Sequence, residues 1–145
     1  MNQAYYARLK RRINQPELFS GYNGIQVTEI REHYAEGVLT MSPHSMNPRG
    51  IVHGGCLSTL MDTVAGIAAC TDGRGCVTLN CTVSYLRSAQ GAGQVRCTVK
   101  PVKVGRTIAV YEAQCLGEDG RQVATGTYTF FLKELLPEAE GKKEE

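Results

Sequence analysis

One stretch, GGCLSTLMDTVAGIAAC at 54–70, limits what this chain can fold into more than any other. On a helical wheel at about 100° per residue, Leu57, Leu60, Met61, Val64, Ile67 and Ala68 gather on one side. A helix with such a face has to be buried against another layer. The downstream sequence says which layer. After the DGRG turn at 72–75 the pattern becomes strand-like and stays so. VTLNCTVSY alternates, with Val77, Leu79, Cys81, Val83 and Tyr85 on one face and Thr78, Asn80, Thr82 and Ser84 on the other. β-rich runs follow at 94–104, 106–116 and, after an EDG hairpin signal at 118–120, at 121–132. Upstream, 3–13 reads as a short helix, PELF at 16–19 as a helical turn, 24–32 and 34–41 as strands, and SPHSMNPRG as loop. One long helix among antiparallel strands implies an α+β fold, with a sheet wrapped on one face around a central helix.

The 145 residues suffice for one domain with a single core. Its expected organisation is an N-terminal helical segment over 1–20, the main domain over 21–133 and a charged, disordered tail over 134–145. A net charge of +2 is too small to argue for a nucleic-acid partner. No run reaches the roughly 18 apolar residues of a membrane span, so no membrane partner is expected. The acid-free, Arg-rich start fits a transit peptide, but Tyr5, Leu9 and Ile13 at helical spacing suit a docking helix better. Six cysteines sit inside apolar runs without CxxC spacing, which fits buried free thiols in the reducing cytoplasm better than disulfides. No zinc or other metal site is expected.

Asp62 is the sole charged residue of the 54–70 stretch and lies nearly opposite its apolar face, flanked by Ser58, Ala65, Gly66 and Ala69. It could simply mark a solvent face. Exposed helix faces are rich in Lys, Glu and Arg, however, whereas this one carries Ser, Thr, Ala and Gly. A lone carboxylate among small residues is costly unless partnered, which makes Asp62 a functional candidate. His53, Gly54 and Gly55 immediately precede the helix, where the first free N–H groups emerge and suit a developing negative charge. Glycine there lets a substrate approach the backbone. Together these features describe an oxyanion site, with backbone donors polarising a carbonyl that a carboxylate or its water attacks.

A distance sharpens the argument. Gly54 and Asp62 are separated by roughly 12 Å along a helix, while both would have to lie within about 3–3.5 Å of one reacting carbonyl. If both act, Asp62 comes from one subunit and Gly54 from its neighbour, and a two-fold dimer holds two composite sites.

The strings NPRGIVHGGCLSTLMDTVAG, VTLNCTVSYLRSAQGAG and KVGRTIAVYEAQCLGEDGRQVATGTYTF resemble hotdog-fold acyl-CoA thioesterases of the phenylacetate-pathway (PaaI-like) and human THEM2-like type, over about residues 20–132. The resemblance implies that Asn47 orients the water or the thioester and that His53 supports the site loop. It further implies that the Gly54 N–H binds the thioester oxygen, that Asp62 is general base or nucleophile, and that Thr78 positions the attacking water. It makes the homodimer the catalytic unit and a homotetramer the expected assembly. Gly55 and Ser58 would line the substrate site, and Arg87, Lys103, Gly105 and Arg106 would meet coenzyme A phosphates, a role Lys and Arg suit. Where relatives often carry LRP, this chain reads Leu86-Arg87-Ser88. No cofactor is implied, since coenzyme A is part of the acyl-CoA substrate. Two other functions on this fold are a non-catalytic acyl-CoA-binding module, which has no use for Asn47, Gly54, Asp62 and Thr78 together, and a hydratase, which would need a histidine after Asp62 in the helix.

Overall fold

A computed structural model describes residues 1–140. The elements run α1 (Gln3–Ile13), α2 (Phe19–Tyr22), β1 (Ile25–Arg31), β2 (Tyr34–Thr40), a 3-10 turn at Pro43–Ser45, α3 (Gly54–Ala69), β3 (Arg74–Tyr85), β4 (Gln94–Val104), β5 (Ile108–Leu116) and β6 (Gln122–Leu135). The strands form one antiparallel sheet in the order β1-β2-β4-β5-β6-β3. α3 packs against all six of them, which is the hotdog arrangement. The expected helical turn over PELF falls later, at Phe19–Tyr22.

α3 buries Leu57, Leu60, Met61, Val64, Ile67 and Ala68, the apolar face of the wheel. It also buries Ala65 and Ala69, which the wheel placed beside Asp62. The helix sits close to the sheet because Gly37 of β2 has no side chain: a Cβ there would lie 2.5 Å from Val64 Cγ2. The last turn of α3 leaves carbonyls without helical partners, and two buried tyrosines meet them. Tyr5 donates to the Cys70 carbonyl at 2.6 Å and Tyr111 to that of Ala68 at 3.2 Å. Burial pushes both phenols above the ordinary tyrosine range, so both remain protonated donors.

The C-terminal stretch departs from expectation. β6 continues to Leu135, Leu136 and Ala139 pack against the core, and Glu138 is only 5% exposed. Glu138 takes an ion pair from Arg12, and its backbone carbonyl accepts two hydrogen bonds from Arg8, at 2.7 and 3.1 Å. The basic face of α1 holds this segment down, so residues 134–140 are not a free tail. Residues 141–145 lie outside the described part. α1 likewise joins the single core, through Tyr5, Tyr6 and Leu9.

β3 departs furthest. It is an edge strand, and most of it is exposed on both faces, including Val77, Leu79 and Tyr85. The register to β6 slips between Thr78, opposite Phe130, and Asn80, opposite Thr129. Leu79 is the extra residue of a bulge. The bulge swaps the faces of the strand, so that Thr78 and Cys81, opposite the buried Phe130 and Tyr128, both point toward α3. Strict alternation had put those two on opposite faces.

Candidate active site

Asp62 lies half-buried midway along α3 and opens onto a groove of about 510 Å³ between α3, β3, β6 and the α1–α2 connection. Thr78 Oγ1 donates to Asp62 Oδ1 at 2.7 Å. Ser58, one turn earlier on α3, shares the groove, and its hydroxyl lies 3.2 Å from that of Tyr128. Tyr128 also donates to the Ser58 carbonyl at 3.1 Å, and burial pushes its phenol above the ordinary range. The carboxylate therefore sits among neutral hydroxyls and apolar walls. Such a setting leaves its oxygens free to accept further hydrogen bonds, with no basic side chain among the described residues lining the groove.

The α3 N-terminus is built from its own sequence. His53 is the N-cap, with its Nδ1 accepting the Gly55 N–H at 2.8 Å and its carbonyl accepting from Cys56 at 2.9 Å. Gly55 is thus spent on the cap. The Gly54 N–H has no hydrogen-bond partner among the described residues. The Tyr85 ring covers the Gly54 Cα: a Cβ there would meet Tyr85 Cζ at 3.1 Å. Asn47 organises the preceding loop, its side-chain oxygen accepting the Arg49 N–H at 2.9 Å and its own N–H donating to the Ile51 carbonyl at 2.8 Å.

Within one chain the predicted residues fall into separate groups. Asp62, Thr78 and Ser58 come together; Asn47, His53, Gly54 and Gly55 do not line their groove. Nor do Arg87, Lys103, Gly105 and Arg106. The carbonyls of Gly105 and Arg106 accept from the Arg74 guanidinium, at 3.3 and 2.7 Å, near the start of β3, while Arg87 follows its far end. Two Arg74 nitrogens in turn grip Asp72, at 3.0 and 2.6 Å.

The sequence reading missed three contributors. Tyr85 and Tyr128 appeared only as strand residues, although a tyrosine beside a Gly-Gly helix start has a packing partner waiting. Cys81 was expected to be a buried thiol and is exposed, lining the Asp62 groove; Cys97 and Cys115 are buried, and Cys56, Cys70 and Cys76 are half-buried. The bulge at Leu79 turns Cys81 toward the groove, and the edge position of β3 leaves it exposed there. Among the described residues, no group of three or more His, Cys, Asp or Glu could hold a metal ion, and no helix is long and apolar enough to cross a membrane.

Residues 49–124 match the thioesterase superfamily, a span that includes α3 and Thr78. The chain is 30% identical over 105 residues to the proofreading thioesterase EntH of Cronobacter turicensis, covering 70% of this chain and 76% of that one. It is 26% identical over 101 residues to the acyl-coenzyme A thioesterase PaaI of Escherichia coli, covering 70% and 72%. Among solved structures, a hypothetical thioesterase of Streptococcus pneumoniae with coenzyme A superimposes with a TM-score of 0.73 at 26% identity, over 77% of this chain and 87% of that one.

Proposed function

The chain belongs to the thioesterase superfamily and is a thioester hydrolase, and from that premise we propose that it hydrolyses acyl-CoA thioesters at a site shared by two subunits. The observation that carries this is the Thr78–Asp62 hydrogen bond in an open groove, on the exposed edge of the sheet. Asp62 either takes a proton from the attacking water or attacks the carbonyl carbon itself. The C–S bond then breaks and the leaving thiolate takes up a proton, from Asp62 in the first case and from solvent in the second; direct attack leaves a mixed anhydride on Asp62, which water hydrolyses to release the acid. The oxyanion passes to the Gly54 N–H of the second subunit, fixed by the His53 cap and the Asn47 loop.

The edge strand supports that pairing. Asp62 is bonded to Thr78 near the start of β3, and Gly54 is covered by Tyr85 at its end. An antiparallel β3–β3 pairing about a two-fold axis at Thr82, with the bulge at Leu79 counted as one position, sets each Thr78 beside the partner's Tyr85. Asp62 is thereby brought toward the partner's Gly54, the meeting that one helix cannot make. The same pairing brings Arg87 to the Arg106 end of its neighbour, so that basic residues roughly 40 Å apart along one β3 converge on one coenzyme. On the outer face, the cross-strand row Val77, Phe131 and Ile108 is exposed and apolar, and the pairing doubles it. That row is the surface on which two dimers would form the tetramer.

The test is thiol release from a panel of acyl-CoAs by wild type and Asp62→Ala, with an enzyme-only blank for the chain's own cysteines. Loss of the carboxylate should cost about 10²–10⁴-fold, and a loss below threefold on the best substrate removes Asp62 from the mechanism. Single-turnover hydrolysis in ¹⁸O-labelled water separates direct attack, which labels the Asp62 carboxylate, from general-base action.

A further inference from the structure

We infer that the acyl group runs from the Asp62–Thr78 pair along α3 into a second, apolar cavity beneath α1, so that this enzyme selects uncharged acyl chains of medium length. The inference rests on the proposed acyl-CoA hydrolysis and adds the substrate class. The second cavity measures about 390 Å³ and is walled by Leu9, Ile67, Leu135 and Leu136, with the thiols of Cys70 and Cys76 at one side. Ile13 and Leu18 line both this cavity and the Asp62 groove, so the two spaces lie side by side.

The path between them follows one helix face and one strand face. Asp62, Gly66 and the C-cap residue Cys70 stand one turn apart along α3 and its end. Opposite them, Thr78 and Cys76 pair with the buried Phe130 and Leu132 and so share the inner face of β3. At the midpoint Gly66 has no side chain: the position of a Cβ there has no neighbour closer than Phe130 Cε1, at 3.8 Å, and the Cys76 thiol lies 3.6 Å from its carbonyl oxygen. From Asp62 to Cys70 is about 12 Å along the helix.

Size and polarity then set the class. At about 390 Å³ the cavity is at the small end of ligand pockets, which run from roughly 300 to 1,000 Å³. Its charged side chains, Arg12, Lys133 and Glu134, are all exposed, and Arg12 is already engaged by Glu138. No buried charge waits for a carboxylate at the far end of the acyl chain, whereas each buried methylene gains roughly fourfold in affinity.

The cysteines already in the chain provide the test. Cys81 lines the Asp62 groove, and Cys70 and Cys76 line the second cavity. Alkylation by a small iodoacetamide, followed residue by residue by mass spectrometry, is compared with and without two non-hydrolysable thioethers, S-methyl-CoA and S-octyl-CoA. The expected result is that both slow alkylation at Cys81, while S-octyl-CoA alone slows it at Cys70 and Cys76, by about fivefold or more. Protection of Cys81 by both, with Cys70 and Cys76 unaffected by S-octyl-CoA, overturns the channel and leaves the proposed active site standing. Protection nowhere overturns both. A second readout is independent of thiol reactivity: kcat/KM should rise at least about tenfold from acetyl-CoA to octanoyl-CoA and fall again for palmitoyl-CoA. Values for acetyl and octanoyl within threefold of each other overturn the inference, whereas hydrolysis of none of the three overturns the acyl-CoA reading itself.

Discussion

The Thr78 hydroxyl reaches 2.7 Å from a carboxylate oxygen of Asp62, from an edge strand to the helix the sheet encloses. The two residues are sixteen positions apart, with a helix C-terminus and a turn between them. Their meeting depends on the pairing of Thr78 with the buried Phe130 of β6, which directs it inward.

That bond should be worth the gain of a hydrogen bond to a charged group, about 1.5–3 kcal/mol. Thr78→Val keeps the shape and removes the donor, and should lower kcat by about ten- to a hundredfold with KM changed far less. Thr78→Ser should restore most of the rate. Steady-state kinetics of the two variants, with their melting temperatures as a check on folding, decide the matter. Equal kcat in Thr78→Val and wild type would show that the bond does not position the carboxylate.

A composite site predicts complementation between inactive chains. Asp62→Ala removes the carboxylate, and Gly54→Val drives side-chain carbon into the Tyr85 ring. Each variant alone should be inactive. Co-expressed, they form mixed dimers in which one of the two sites has both native residues, so activity should recover to about a quarter of wild type by statistical assortment. Sites contained within single chains would recover nothing.

Asp72 carries a pH dependence of stability. Burial by itself raises its pKa, but the two-pronged hydrogen bond and charge of Arg74 outweigh that and hold the carboxyl below its ordinary 3.8. A depressed folded-state pKa stabilises above the unfolded value and loses that contribution as pH falls through the folded one. Asp72→Asn should therefore melt lower than wild type at pH 7. The difference should shrink steadily below pH 3.8. A gap independent of pH across thermal melts would mean that the Asp72 charge contributes nothing.

The C-terminal segment should prove part of the fold. Glu138 is nearly enclosed, with its carboxylate on Arg12 and its carbonyl on Arg8. Glu138→Ala should cost about 1–3 kcal/mol. Truncation after Lys133 should cost more, because Leu136 and Ala139 leave the core with it. Chemical denaturation measures both, and truncation without loss would mean that the segment packs without stabilising.

Much of this molecule was written along the chain. The apolar face of α3, the lone Asp62 opposite it and the His53-Gly54-Gly55 start each depend on residues close in sequence, because helical period and capping are local. The same holds for the strands over 94–104 and 121–132, whose alternation survives as burial. Even the argument for two subunits follows from helical rise alone: if Gly54 and Asp62 both act on one carbonyl, no folding detail can shorten the distance between them on one helix. What the sequence could not decide was the direction of β3 residues and the fate of the ends. Leu79 looks like any apolar position in an alternating strand, and only its pairing with β6 makes it a bulge that turns Thr78 and Cys81 toward the same groove. Residues 134–140 read as part of a charged tail, and only the arrival of Arg8 and Arg12 from the opposite end of the chain makes them a packed segment. In both cases the deciding partner is distant in sequence, and contacts of that kind exist only once the sheet has closed around its helix.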